Sequence, residues 1–218
     1  MSADSDNREQ HRADLAFFGA VTASISHELN NVLSILDQSA GLLGDLLAGA
    51  EAGRPIPPEK LAQMSESMQR QTQRGLEIIR RMNAFAHSTD RDKRTCNIGE
   101  TVTSFVKLCR RWADMKRVTL ETGSVPNDVV LEVDPFLLQQ WLYLAFTALL
   151  TVAGSDDTIS FEVTATGEET VVQVIGSGSF DGGERLGKVA QEELAGSFGG
   201  RVVFRVENGR VYQSLFLK

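Results

Sequence analysis

Cysteine is scarce in this chain. Cys96 and Cys109 are the only two in 218 residues, and their spacing matches neither a metal knuckle nor a redox pair. A disulfide staple and a thiolate metal site are therefore not expected; neutral thiols in a reducing cytosol are. Histidine is sparse too, with only His11, His27 and His87, and His11 and His87 have no supporting constellation and read as surface residues. Basic excess is missing: 22 Lys and Arg face 29 Asp and Glu, a net charge of -7, which gives no general pull toward nucleic acid or an anionic membrane. A long apolar run is missing as well. Phe136 to Val152 comes nearest, and Gln139, Gln140, Tyr143 and Thr147 interrupt it short of the roughly 20 apolar residues a membrane span needs. The opening Met1-Ser2-Ala3-Asp4-Ser5-Asp6 lacks the basic start of an export signal. These absences point to a cytoplasmic protein without membrane anchor, nucleic-acid partner or metal.

What is present is 42% hydrophobic residues in two patterns. From about Asp14 to Leu47, Leu15, Phe18, Val21, Ile25, Leu29, Val32, Leu36, Leu43 and Leu47 recur at helical spacing, predicting one long amphipathic helix. Gly49, Gly53 and Pro55 end it, and Pro57-Pro58 opens a second helix to about His87, where a missing N–H is harmless. Leu61, Met64, Met68, Gly75, Ile79, Met82 and Phe85 form its stripe. A helix of ~35 residues is about 50 Å long, too long for one hairpin to cover. A second copy completing a four-helix bundle across a two-fold axis is the economical answer, and a homodimer is expected.

The sequence divides into a polar tail over 1–12, the hairpin over 13–88, a linker over 89–96 and an α/β sandwich over 97–218. In the last part Asn97 with Glu100 reads as a helix cap, and Asp134-Pro135 opens a helix apolar almost all round. Thr158 to Thr166 and Thr170 to Ile175 alternate as a hairpin about Gly167. A last helix over about Glu184 to Phe198 precedes two strands joined by Asn208-Gly209. The fold class is α+β, a helical hairpin followed by a mostly antiparallel sheet with helices on one face.

On the first helix, at about 100° per residue with Ile25 at zero, the buried stripe stays within roughly 40°. His27 then lies near ~200°, Asn31 near ~240° and Glu28 near ~300° on the flank. An imidazole facing outward, with a carboxylate beside it and an amide one turn on, suits nucleophilic chemistry on a docked partner.

Ser26-His27-Glu28-Leu29-Asn30-Asn31, followed by Leu33 and Ile35, resembles the phosphoacceptor box of the sensor histidine kinases, which sits on the first helix of a dimerising hairpin. Val32 stands where that family usually has proline. The resemblance spans residues 12 to 218 and implies an ATP-binding sandwich downstream. There the sequence departs from the pattern. Leu144 and Ala148 occupy the positions of the family's nucleotide and magnesium asparagines, and neither can ligate a hard cation. Within Val174-Ile175-Gly176-Ser177-Gly178-Ser179-Phe180, Gly176 replaces the adenine-reading aspartate and Phe180 replaces the second glycine. Arg185-Leu186-Gly187-Lys188-Val189 is a remnant of the glycine-rich turn, and too few residues precede it for a phosphate lid. Phosphoryl transfer from ATP depends on positioned magnesium and charge stabilisation, so no cofactor is expected and autokinase activity is expected to be lost.

The expectation is therefore phosphoryl transfer through His27 to or from the aspartate of a response-regulator receiver domain. Glu28 would tune the imidazole, and Asn31 would orient a water if the module acts as a receiver phosphatase. A divergent ATP-dependent sensor histidine kinase and a non-enzymatic receiver-binding scaffold are the alternatives.

Overall fold

The computed structural model describes residues 2–90, 94–167, 169–178, 180 and 187–218. Two compact units emerge, one formed by Phe18–Ala84 and the other by Met1–Phe17 with Phe85–Lys218.

Helix α1 runs Ser2–Glu51, beginning well before the expected Asp14. The polar opening carries no apolar period to reveal it, yet no glycine or proline interrupts the chain before Gly19, so nothing stops the helix from extending. It ends where Gly53 takes φ +83° and the amide of Arg54 donates to the carbonyl of Gly49 at 3.0 Å, the left-handed exit that glycine permits. Helix α2, Pro58–Ala86, returns along it with proline in its first turn.

In the hairpin unit Val21, Ile25, Val32, Met64 and Ile78 are buried. Gly75 brings α2 close, so that a Cβ there would lie 3.4 Å from Val32 Cγ1. The stripe differs from expectation in detail. Ile78 takes the buried position foreseen for Ile79, and Leu47 and Leu61 are exposed. Each shift is one residue or one turn, which a period of 3.6 read without partner geometry cannot resolve.

The other unit begins with a buried aromatic cluster. Phe17, rather than the expected Phe18, lies 5.5 Å from Phe85, 5.4 Å from Phe136 and 5.1 Å from Tyr143 between ring centroids. A short helical turn, His87–Thr89, follows α2, with Ser88 donating to the carbonyl of Phe85, and takes in the first residue of the expected linker. Strand β1, Arg94–Asn97, pairs antiparallel with β3, Val130–Val133; β1 was not expected, being four residues with little alternation. Between them lie α3, Ile98–Lys116, and β2, Thr119–Thr122. The Asn97 cap is present, its Oδ1 accepting from the Glu100 amide at 2.9 Å. Asp134 Oδ1 accepts from the amides of Phe136 and Leu137 and opens α4, Pro135–Val152, on which Leu138, Trp141, Leu142, Ala145, Phe146 and Leu149 are fully buried.

The main sheet has five strands in the order β2-β4-β5-β7-β6, with β4 Thr158–Thr166, β5 Glu169–Ser177, β6 Arg201–Glu207 and β7 Arg210–Leu217. Only β2 with β4 is parallel. Ile159, Phe161, Val163, Val172, Val174 and Leu215 fill its inner face, where Phe161 meets Phe105 of α3 and Phe146 of α4. Asn208 and Gly209 both take positive φ, 51° and 72°, as a tight primed turn requires. Helix α5 spans Lys188–Ser197; its expected first residues, from Glu184, and the Arg185-Leu186 half of the proposed glycine-turn remnant lie outside the described residues.

Among the described residues two helices, α1 from His11 onward and α4, are long and apolar enough to cross a membrane by length and composition. In α4 the apolar window is largely buried in its own unit, as a core helix would be.

Candidate functional site

Burial of Ile25 and Val32 on either side of it sets the rotation of the His27 turn. His27 and Asn31 are exposed and Glu28 is half-buried, the ordering the helical angles foresee. The two exposed groups project from one side of α1, one turn apart, open to a partner.

The carboxylate behaves differently from the sequence expectation. Arg81 of α2 donates from Nη2 to Glu28 Oε2 at 3.2 Å, and the two side chains are only 22% and 14% exposed. Among the described residues the partner found for Glu28 is this guanidinium and not the neighbouring imidazole. Both residues belong to the Phe18–Ala84 unit, so the pair ties the His27 turn of α1 to α2. The sequence pattern does not single out Arg81, because a stripe through Ile79 turns it away from α1. With Ile78 buried, Arg81 three residues later falls on the flank, where an i,i+3 neighbour belongs.

His11 is exposed, and His87 Nδ1 meets Asp90 Oδ2 at 2.7 Å on an exposed turn.

The two units, taken in order along the chain, match solved structures. The catalytic domain of the histidine kinase ThkA aligns over 58% of this chain and 95% of its own, at TM-score 0.51 and 15% identity. The chain has the sensor histidine kinase fold. ThkA in complex with the response regulator protein TrrA aligns over 98% of this chain and 65% of that one, at TM-score 0.50 and 15% identity. A histidine kinase from Burkholderia phymatum STM815 aligns over 91% of this chain and 96% of its own, at TM-score 0.51 and 9% identity. No family model and no curated protein matches the sequence.

The histidine kinase fold implies a nucleotide with magnesium in the sandwich, and the described residues that the sequence resemblance sets at its positions do not fit one. Gly176, which the resemblance sets at the adenine-reading position, offers no carboxylate, and a Cβ on it would stand 2.9 Å from the ring of Phe180. Phe180 is buried at 4% exposure, so its ring fills the space beside Gly176. At the two asparagine positions, Leu144 is half-buried and Ala148 buried, and neither carries an oxygen. Among the described residues no group of three or more His, Cys, Asp and Glu is placed to hold a metal ion. Beneath α5, Gln191 donates to Gln213 Oε1 at 2.6 Å, a buried amide pair in the core of the same unit.

Proposed function

We propose that this chain is a two-component phosphoryl-transfer module in which His27 exchanges a phosphoryl group with the aspartate of a response-regulator receiver domain. The observation that carries the reading is the contrast between its two units: an exposed His27 with Asn31 beside it on the hairpin, and a Phe180 ring packed into the place beside Gly176 in the sandwich. On this reading His27 is the phosphoacceptor, and the residues that the family resemblance would have hold ATP are absent from its expected positions. The solved complex of ThkA with TrrA supports a receiver as the partner.

In the transfer, a lone pair on one imidazole nitrogen forms the N–P bond. The P–O bond of the receiver acyl phosphate breaks, and its electron pair leaves on the aspartate carboxylate. The second ring nitrogen keeps its proton throughout. Return to another receiver is the same step reversed. Were a water oriented by Asn31 to attack the acyl phosphate instead, the module would act as a receiver phosphatase.

The module works as a homodimer in the cytoplasm on this reading. Leu33, Leu42, Leu47, Leu61 and Leu76 are exposed on the hairpin, and Leu43, Leu61, Met64 and Met68 line a groove of about 630 Å³ on it. A second hairpin covers such surfaces in a four-helix bundle. Light scattering at micromolar concentration should give the dimer mass; a monomer removes this element.

The decisive test is incubation with a receiver phosphorylated on its aspartate. Acid-labile label should move to the wild-type chain and not to His27→Ala. Receiver binding without transfer would establish a scaffold instead. The fold itself favours the second reading, an ATP-dependent histidine kinase, and rapid labelling of His27 by ATP with magnesium would establish it.

A further inference from the structure

The geometry points to Arg81 as a positioning residue for phosphoryl chemistry at His27, acting through Glu28; the inference rests on the function proposed above. Glu28 follows His27 directly, and its carboxylate is mostly shielded from water and held by a guanidinium 53 positions away in sequence. Ile78, buried one turn before Arg81, fixes the part of α2 from which that guanidinium reaches.

The charge balance explains what the pair does. A phosphoryl group delivered to His27 carries negative charge on its three equatorial oxygens. A bare carboxylate one residue from the acceptor, half out of water, would repel it, because screening is weak where solvent is excluded. Paired with Arg81, Glu28 becomes a near-neutral, fixed group. It keeps an oxygen beside the imidazole turn without opposing the incoming phosphate. Arg81 touches neither the imidazole nor the phosphoryl group in this account; its effect is on the charge and placement of Glu28.

The test is single-turnover transfer from a phosphorylated receiver to the 218-residue chain. At saturating receiver, Arg81→Gln should slow transfer about tenfold or more, while the receiver concentration giving half-maximal rate stays unchanged. Arg81→Lys, which keeps the charge, should recover most of the rate. In a Glu28→Gln background the Arg81→Gln change should cost less than about twofold, since its effect runs through Glu28. A rate for Arg81→Gln equal to wild type, or an equal loss in both backgrounds, overturns the inference and leaves the function standing. If the wild-type chain takes no label from the receiver, the function falls and this inference with it. Should Arg81→Gln lose hairpin helicity by circular dichroism, the comparison passes to Glu28→Gln/Arg81→Met, which removes both charges, against Glu28→Gln alone. Equal rates support the inference and a further loss rejects it.

Discussion

The ring of Phe180 lies so close to Gly176 that a Cβ on the glycine would fall within 2.9 Å of two of its carbons. The two residues are therefore coupled: the missing side chain at 176 leaves the room that the aromatic at 180 fills. Gly176→Ala should destabilise the chain by ~1–3 kcal/mol through overpacking, and the loss should shrink in a Phe180→Ala background, where the clash is absent. Urea unfolding of the four variants reads the coupling, and strictly additive losses would dissociate the two residues. Calorimetry of the wild-type chain with ATP and magnesium should show no binding heat.

Gln191 and Gln213 are fully buried and share one hydrogen bond, leaving Gln191 Oε1 and Gln213 Nε2 without a partner among the described residues. An amide that loses its only partner in such a place costs about 1–3 kcal/mol. Gln213→Met alone should therefore lower stability by that order. Gln191→Met with Gln213→Met removes both polar groups at similar volume and should recover much of the loss. A double variant as unstable as the sum of the singles would show that the pair is not isolated in the way described.

How far the sequence could anticipate this structure depended on which signals are local. The caps at Asn97 and Asp134, the turn at Asn208-Gly209 and the all-apolar α4 are each specified within a few residues, and each stands where expected. The face His27 presents was legible too, because buried Ile25 and Val32 lie on the same helix. What required a second element was not. Choosing Ile78 over Ile79, or Phe17 over Phe18, needs the partner surface. Finding Arg81 needs the register between α1 and α2, which periodicity along either helix leaves free. Strand β1 exists because β3 pairs with it, and four residues carry too little alternation to announce themselves.

Asn97 joins two segments through one side chain. Its Oδ1 caps α3 at the Glu100 amide, and its Nδ2 donates to the carbonyl of Asn127. Asn97→Asp keeps the first and loses the second, whereas Asn97→Ala loses both. The alanine variant should cost about 1–2 kcal/mol and the aspartate variant less. An aspartate as destabilising as alanine would mean that the Asn127 tie, and not the cap, holds this end of α3.

Cys109 is fully buried, and removal from water pushes its thiol well above the usual range. The folded chain therefore holds this proton where the unfolded chain, with an ordinary thiol near ~8.5, gives it up. Stability should be indifferent to this group below about pH 8 and should fall above that, by at most ~1.4 kcal/mol per pH unit, because the native state binds more protons than the unfolded one. Tyr143, raised by burial and then by the neighbouring Cys109, adds a loss of the same sign only above about pH 10. Cys109→Ala should thus flatten the stability curve between about pH 8.5 and 10 while leaving its steeper alkaline end. Urea midpoints that decline in parallel for wild type and Cys109→Ala across that window would assign the alkaline loss to other groups.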